Sequence, residues 1–162
     1  MVAAKSTGQP IVPALITTPF IIMKDKERYI LDLFNECLRL SLVEEQYEYS
    51  RFDAEDDEYI AEIKSRNKHY QDTIIEFDKY AYNMTYSELK NKRFIYIVEA
   101  SGELYAFDIS ELVQNKYDFK WEWKEMPITT EFGNTEKIKK YVGYINIEKS
   151  CVHIKDKYRR KD

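Results

Sequence analysis

Asp108 and the triplet Glu122-Trp123-Lys124 place two carboxylates and an ammonium in an order that phosphoryl chemistry can use. Paired carboxylates offer hard oxygen ligands to Mg²⁺, and a nearby lysine can stabilise charge or position an attacking water. A second set is the aromatic row Tyr117, Phe119, Trp121 and Trp123, which shares one face if the segment is a strand. With Lys116, Lys120 and Lys124 beside it, that row can stack nucleic-acid bases; packed under helices, it can equally form a core. Cys151 and His153 also share a side of a strand. They are too few for a zinc site and lack the third group that orients a nucleophile dyad, so a small apolar Cys and a half-buried His are expected.

The order Asp108…Glu122-x-Lys124 resembles the D…ExK signature of the restriction-endonuclease-like nucleases. In that family the Asp stands near the start of the second strand of a hairpin. The resemblance implies Asp108 and Glu122 as Mg²⁺ ligands and Lys124 as the catalytic cation. Strand geometry alone gives a plainer account, in which Lys120, Glu122 and Lys124 form a solvated face opposite the aromatic row.

With 162 residues the chain suits one domain with its own hydrophobic core. Its 44% hydrophobic and 33% charged residues describe a folded protein. The two cysteines, Cys37 and Cys151, form no secreted-type disulfide framework and are expected as thiols. The apolar run Ile11–Met23 is broken by Pro13, Thr17, Thr18 and Pro19, which predicts neither a signal peptide nor a membrane span, and hence a cytoplasmic protein. Four glycines build no phosphate-cradling loop, and neither a Gly-x-Ser-x-Gly elbow nor a helical His-Glu-x-x-His occurs. No cofactor is implied.

The net charge of −4 is unevenly spread, with acids crowded into Glu44–Glu58 and bases into Lys137–Lys161. Such separation can orient an approaching partner, or it can be two solvated surfaces. The acids, interleaved with Tyr47, Tyr49, Phe52 and Tyr59, could also imitate a nucleic-acid strand.

The elements expected to carry these residues form an α+β domain. Residues 1–24 read as an extended, Pro-containing arm, and residues 25–162 as a single domain. Apolar spacing predicts a helix from Asp25 through Leu40. A second helix is expected over Asp56–Tyr82, where Ile60, Ile63, Asn67, Tyr70, Ile74, Phe77 and Ala81 keep a heptad seam. Together they would form an antiparallel helical hairpin over 25–83. A β-rich part over 90–156 then supplies a four- to five-stranded antiparallel sheet. It comprises a hairpin of 93–98 with 103–109 turned at Ser101-Gly102, the strand 117–124, and a second hairpin of 140–147 with 151–155.

The sequence taken by itself points to a non-catalytic, structural or protein-binding component of an assembly, of a viral or mobile-element kind. The arm residues Ile11, Val12, Leu15, Ile16 and Phe20 would dock on a protein partner or a second copy of the chain. The acidic residues Asp53, Glu55, Asp56, Asp57 and Glu58 would steer that approach. The alternatives are the Mg²⁺-dependent nuclease using Asp108, Glu122 and Lys124, and a single-stranded nucleic-acid binder using Trp121, Trp123 and Lys120.

Overall fold

A computed structural model describes residues 23–47, 50–128 and 136–155. The arm residues Ile11, Val12, Leu15, Ile16 and Phe20 lie outside them. In chain order the elements are α1 (Asp25–Leu38), β1 (Val43–Glu44), β2 (Ala54–Glu55), β3 (Tyr59–Arg66), β4 (Asp72–Glu76) and α2 (Phe77–Leu89). They continue with β5 (Arg93–Ala100), β6 (Glu103–Asp108), α3 (Ile109–Gln114), β7 (Glu122–Pro127), β8 (Lys137–Asn146) and β9 (Val152–Ile154). A six-stranded mixed sheet has the order β1-β2-β3-β5-β6-β9, and a three-stranded sheet the order β4-β8-β7.

The large sheet is covered on both faces. Ile30, Leu31 and Phe34 of α1 pack on Ala61, Ile63, Ile95, Ile97, Leu104 and Ala106. On the other face, Ile60, Phe94, Tyr96, Val98, Tyr105 and Phe107 meet Met84 of α2, Ile109 of α3, and Ile75 and Ile145 of the small sheet. Because β3 and β5 lie inside the sheet and run parallel, both of their faces are covered, although β3 carries Glu62, Lys64 and Arg66 on the side of Ile60.

This architecture replaces the expected helical hairpin and single antiparallel sheet. The first helix is present as α1, closed by Arg39 in the left-handed conformation. The second is not: Asp56–Glu76 holds the turn into β3, then β3 and β4, and α2 begins only at Phe77. The physical reason lies in Ile60 and Ile63. Three residues apart, they share one face of a helix but take opposite faces of a strand. Each face of the central strand has its own core to fill, and the two isoleucines serve one each. Period alone does not separate a doubly buried strand from a helix.

The Ser101-Gly102 hairpin forms as expected, joining β5 to β6 with φ of 51° and 85° at its two central residues. The second expected hairpin does not form. After a short helical turn at Ile147–Lys149, β9 leaves the small sheet and pairs with β6, so β8 and β9 belong to different sheets. The strand expected over 117–124 starts only at Glu122, because Lys116 and Lys120 take left-handed φ values of 56° and 49°. Among the described residues no helix is long and apolar enough to cross a membrane.

Candidate functional site

The structure separates the residues that the sequence order had grouped. Asp108 ends β6 and caps α3, where its Oδ1 accepts a hydrogen bond from the Glu111 amide at 2.9 Å. Its Oδ2 is ion-paired with Arg93. Burial, only partly offset by that amide and by Arg93, raises its pKa. Glu122 and Lys124 stand on β7 in the other sheet, both exposed. There the Tyr144 hydroxyl donates to Glu122 and accepts from Lys124 Nζ at 3.2 Å.

A different acid–acid–lysine set does converge. Asp56 closes a turn by accepting hydrogen bonds from the amides of Glu58 and Tyr59, both at 2.8 Å, and so brings β2 back along β3. The register pairs Ala54 with Ala61, and one further step sets Asp53 beside Glu62. Ile63 N–H donates to Asp53 Oδ2 at 2.6 Å, fixing that carboxylate against β3. Lys64, two residues after Glu62, shares its side of the strand, and its Nζ lies 2.7 Å from Glu62 Oε1.

From the opposite layer, Lys79 of α2 reaches Glu62 at 3.1 Å and also donates to the Arg51 carbonyl at 3.0 Å. Asn83, one helical turn on, donates to the same carbonyl at 3.3 Å. Asp53 therefore just precedes β2, the second strand of the antiparallel β1–β2 pair, and Glu62-Ile63-Lys64 lies on a central strand.

The electrostatics of this cluster are unusual. Glu62 is 0% exposed, and a buried charge persists only when paired. Burial, together with the charge of Glu62, pushes Asp53 up to about 7 against the lowering effect of the Ile63 amide and of Lys64 and Lys79. Burial pulls the Lys64 ammonium down, but the adjacent Glu62 carboxylate outweighs it and leaves its pKa raised. Asn83 is also 0% exposed and its Oδ1 has no hydrogen-bond partner; no donor is aligned for a hydrogen bond with Glu62 Oε1, although two ammonium groups face it. Two crowded carboxylates are hard donors, the chemistry that Mg²⁺ takes. Among the described residues no three His, Cys, Asp or Glu side chains form a metal cage. Mg²⁺ does not need one, since it is commonly held by one or two carboxylates with water and substrate oxygens.

The other expected site residues are dispersed. Glu55 pairs with Lys92 at 2.7 Å, Asp56 serves the turn, and Asp57 and Glu58 are exposed. The aromatic row is graded: Phe119 is buried, Trp121 is half-buried, and Trp123 is 69% exposed against Tyr141. Trp121 lies over Gly143, where an added Cβ would meet the indole at 2.8 Å. Lys120 is exposed, with its amide bonded to Asp118. Cys37 and Cys151 are both free thiols. His153 hydrogen-bonds Glu103 at 2.7 Å and stacks on Tyr105, whose hydroxyl also meets His69 at 2.8 Å.

The sequence reading missed Glu62, Lys64, Lys79 and Asn83, and gave Asp53 only a role in steering a partner. The signal that could have found them is symmetry about a turn, because Asp53 and Glu62 are equidistant from Asp57 and Glu58. No protein-family model, curated protein or solved structure matches this chain.

Proposed function

We propose that the protein is a Mg²⁺-dependent nuclease of the D…ExK kind, with Asp53, Glu62 and Lys64 in place of Asp108, Glu122 and Lys124. The observation that carries this reading is the convergence of Asp53, Glu62 and Lys64 on one side of the β2–β3 hairpin, with Glu62 fully buried. Asp53 and Glu62 would hold the cation through their carboxylate oxygens. A divalent cation bound there supplies Lewis-acid polarisation of a phosphodiester and a lowered pKa for a bound water.

The remaining work falls to the chain itself. The Ile63 amide keeps Asp53 Oδ2 aimed across the hairpin. Lys79, anchored on the Arg51 carbonyl, holds Glu62 from the α2 side and limits its rotamers. Lys64 carries a positive charge next to both acids, where it can orient a water and offset negative charge growing on a phosphate. Its raised pKa suits an electrostatic role rather than that of a general base.

The test is cleavage of labelled single-stranded and duplex oligonucleotides with Mg²⁺ or Mn²⁺, comparing wild type, Glu62→Gln and Glu122→Gln. Activity abolished by Glu62→Gln and kept by Glu122→Gln supports the assignment. Equal activity of wild type and Glu62→Gln, or none from wild type with either metal, would sink it.

A further inference from the structure

A cleft of about 470 Å³ opens where the parallel strands β3 and β5 end. In open sheets with parallel strands, ligands collect outside the carboxyl ends, where the connections diverge and leave a crevice. Here the chain leaves β3 through Arg66 and Lys68, which line one side of the cleft. The small sheet supplies the other side through Lys124 and Tyr144, and Tyr70 and Asp72 lie on the segment entering β4. Three cations against a single acid make this lining positive. Tyr70 is 58% exposed, and Lys124 lies 5.3 Å over the Tyr144 ring, so charge and aromatic surface occur side by side.

This cleft is wired to the acid–lysine cluster. Lys64 and Arg66 alternate on the same side of β3, as period two requires. Arg66 donates to the Ile74 carbonyl at 3.2 Å, and the buried Tyr96 hydroxyl donates to the same oxygen at 2.9 Å. Tyr96 also feels the charges of Arg66, Lys64 and Glu62 together. Arg66 and Lys64 thus put positive charge on one side of β3, with Arg66 at the cleft.

We infer that this cleft is a subsite for a single-stranded polynucleotide, with Arg66, Lys68 and Lys124 on the phosphates and Tyr70 stacking on a base. The inference deepens the nuclease reading and rests on it only for the fate of the bound strand. A cleft of this size takes about one or two nucleotide units rather than a duplex, and exposed aromatic rings beside cations are the usual single-strand platform.

The experiment is fluorescence anisotropy in EDTA with labelled oligo(dT), oligo(U) and a blunt DNA duplex, titrated at several salt concentrations. Both single strands should bind more tightly than the duplex. Tyr70→Ala should weaken single-strand binding by about tenfold. Lys68→Ala should flatten the dependence of log K on log salt by about 0.7, as loss of one phosphate contact does. Both side chains are exposed, so neither variant threatens the fold. Unchanged affinity in the Tyr70→Ala/Lys68→Ala double variant, or duplex binding that exceeds single-strand binding, overturns the subsite. The two proposals fail separately. Tyr70-dependent binding without metal-dependent cleavage by wild type keeps the cleft and removes the nuclease; cleavage with binding indifferent to both substitutions does the reverse.

Discussion

Two tripeptides of the same pattern, Glu62-Ile63-Lys64 and Glu122-Trp123-Lys124, sit in opposite surroundings. The first lies on β3 in the middle of the large sheet, facing α2, with Asp53 brought beside it by a hairpin. The second lies on β7 at the edge of the small sheet, exposed, with Tyr144 bridging its acid and its lysine. Spacing is common to both. What differs is the removal of water and the arrival of a second carboxylate. In water a Glu–Lys pair is worth little, because the solvent screens it; out of water the same pair is held strongly and perturbs its neighbours. The chemistry therefore follows burial, and the letters only permit it.

The sharpest way to break this comparison is to neutralise one acid in each tripeptide. Glu62→Gln should lower metal-dependent cleavage by at least about a hundredfold, while Glu122→Gln leaves it within about twofold. Circular dichroism of both variants checks that the fold is retained. The reverse result would return the site to β7.

A second contrast is metal-linked stability. Mg²⁺ at a hundred times its dissociation constant should stabilise the wild type by about 2.7 kcal/mol, read as a rise in Tm. Asp53→Asn and Glu62→Gln should lose that rise, and Asp108→Asn should keep it. A rise that survives Glu62→Gln would place the cation elsewhere.

Glu99 asks whether burial alone is sufficient. It is 4% exposed on β5, bonded by Lys26 at 2.9 Å, the Ser65 hydroxyl at 2.7 Å and the Gly102 amide at 3.1 Å. Burial raises its pKa, but these three partners outweigh it and the net shift is downward. The folded state therefore binds the carboxylate form better than the unfolded chain does. Its stabilisation is complete above the ordinary Glu range and is lost as pH falls through the lowered value. Urea melts between pH 6 and 3 should show a steeper loss for wild type than for Glu99→Gln, which at pH 7 should be less stable by about 1–3 kcal/mol. No change in slope would mean that Glu99 is not held in this way. At the small end, Trp123→Ala should shift stability by no more than about 0.5 kcal/mol, because its ring is mostly in solvent; a larger loss would show that the β7 edge is structurally loaded.

The legible parts of the fold were those whose rules are local. The Ser101-Gly102 turn and the first helix followed from turn chemistry and a one-sided apolar period. The region 56–82 did not, because β3 is buried on two sides and its isoleucines, one on each, mimic a heptad. The candidate site was hidden by the same error. Once Asp56–Glu58 is read as a turn between strands, Asp53 and Glu62 become neighbours; read as a helix start, they are unrelated. Lys79 and Asn83 reach the site only through the packing of α2 on β3, a tertiary fact that spacing in the chain does not encode. The division of the aromatic row depended likewise on where the small sheet ends.

The β2–β3 hairpin has a consequence for the order in which the molecule loses structure. Asp53, Glu62 and Lys64 lie within one short stretch of chain, so their mutual placement asks only for a local turn. The cleft needs β3 to meet β5 across the whole of β4 and α2, and β4 to meet β8 across nearly half of the chain. Partial opening that detaches the small sheet would erase the cleft first and leave the two carboxylates still facing each other. In hydrogen exchange the amides of β4, β7 and β8 should then be released as one cooperative group, ahead of those of β3 and β5.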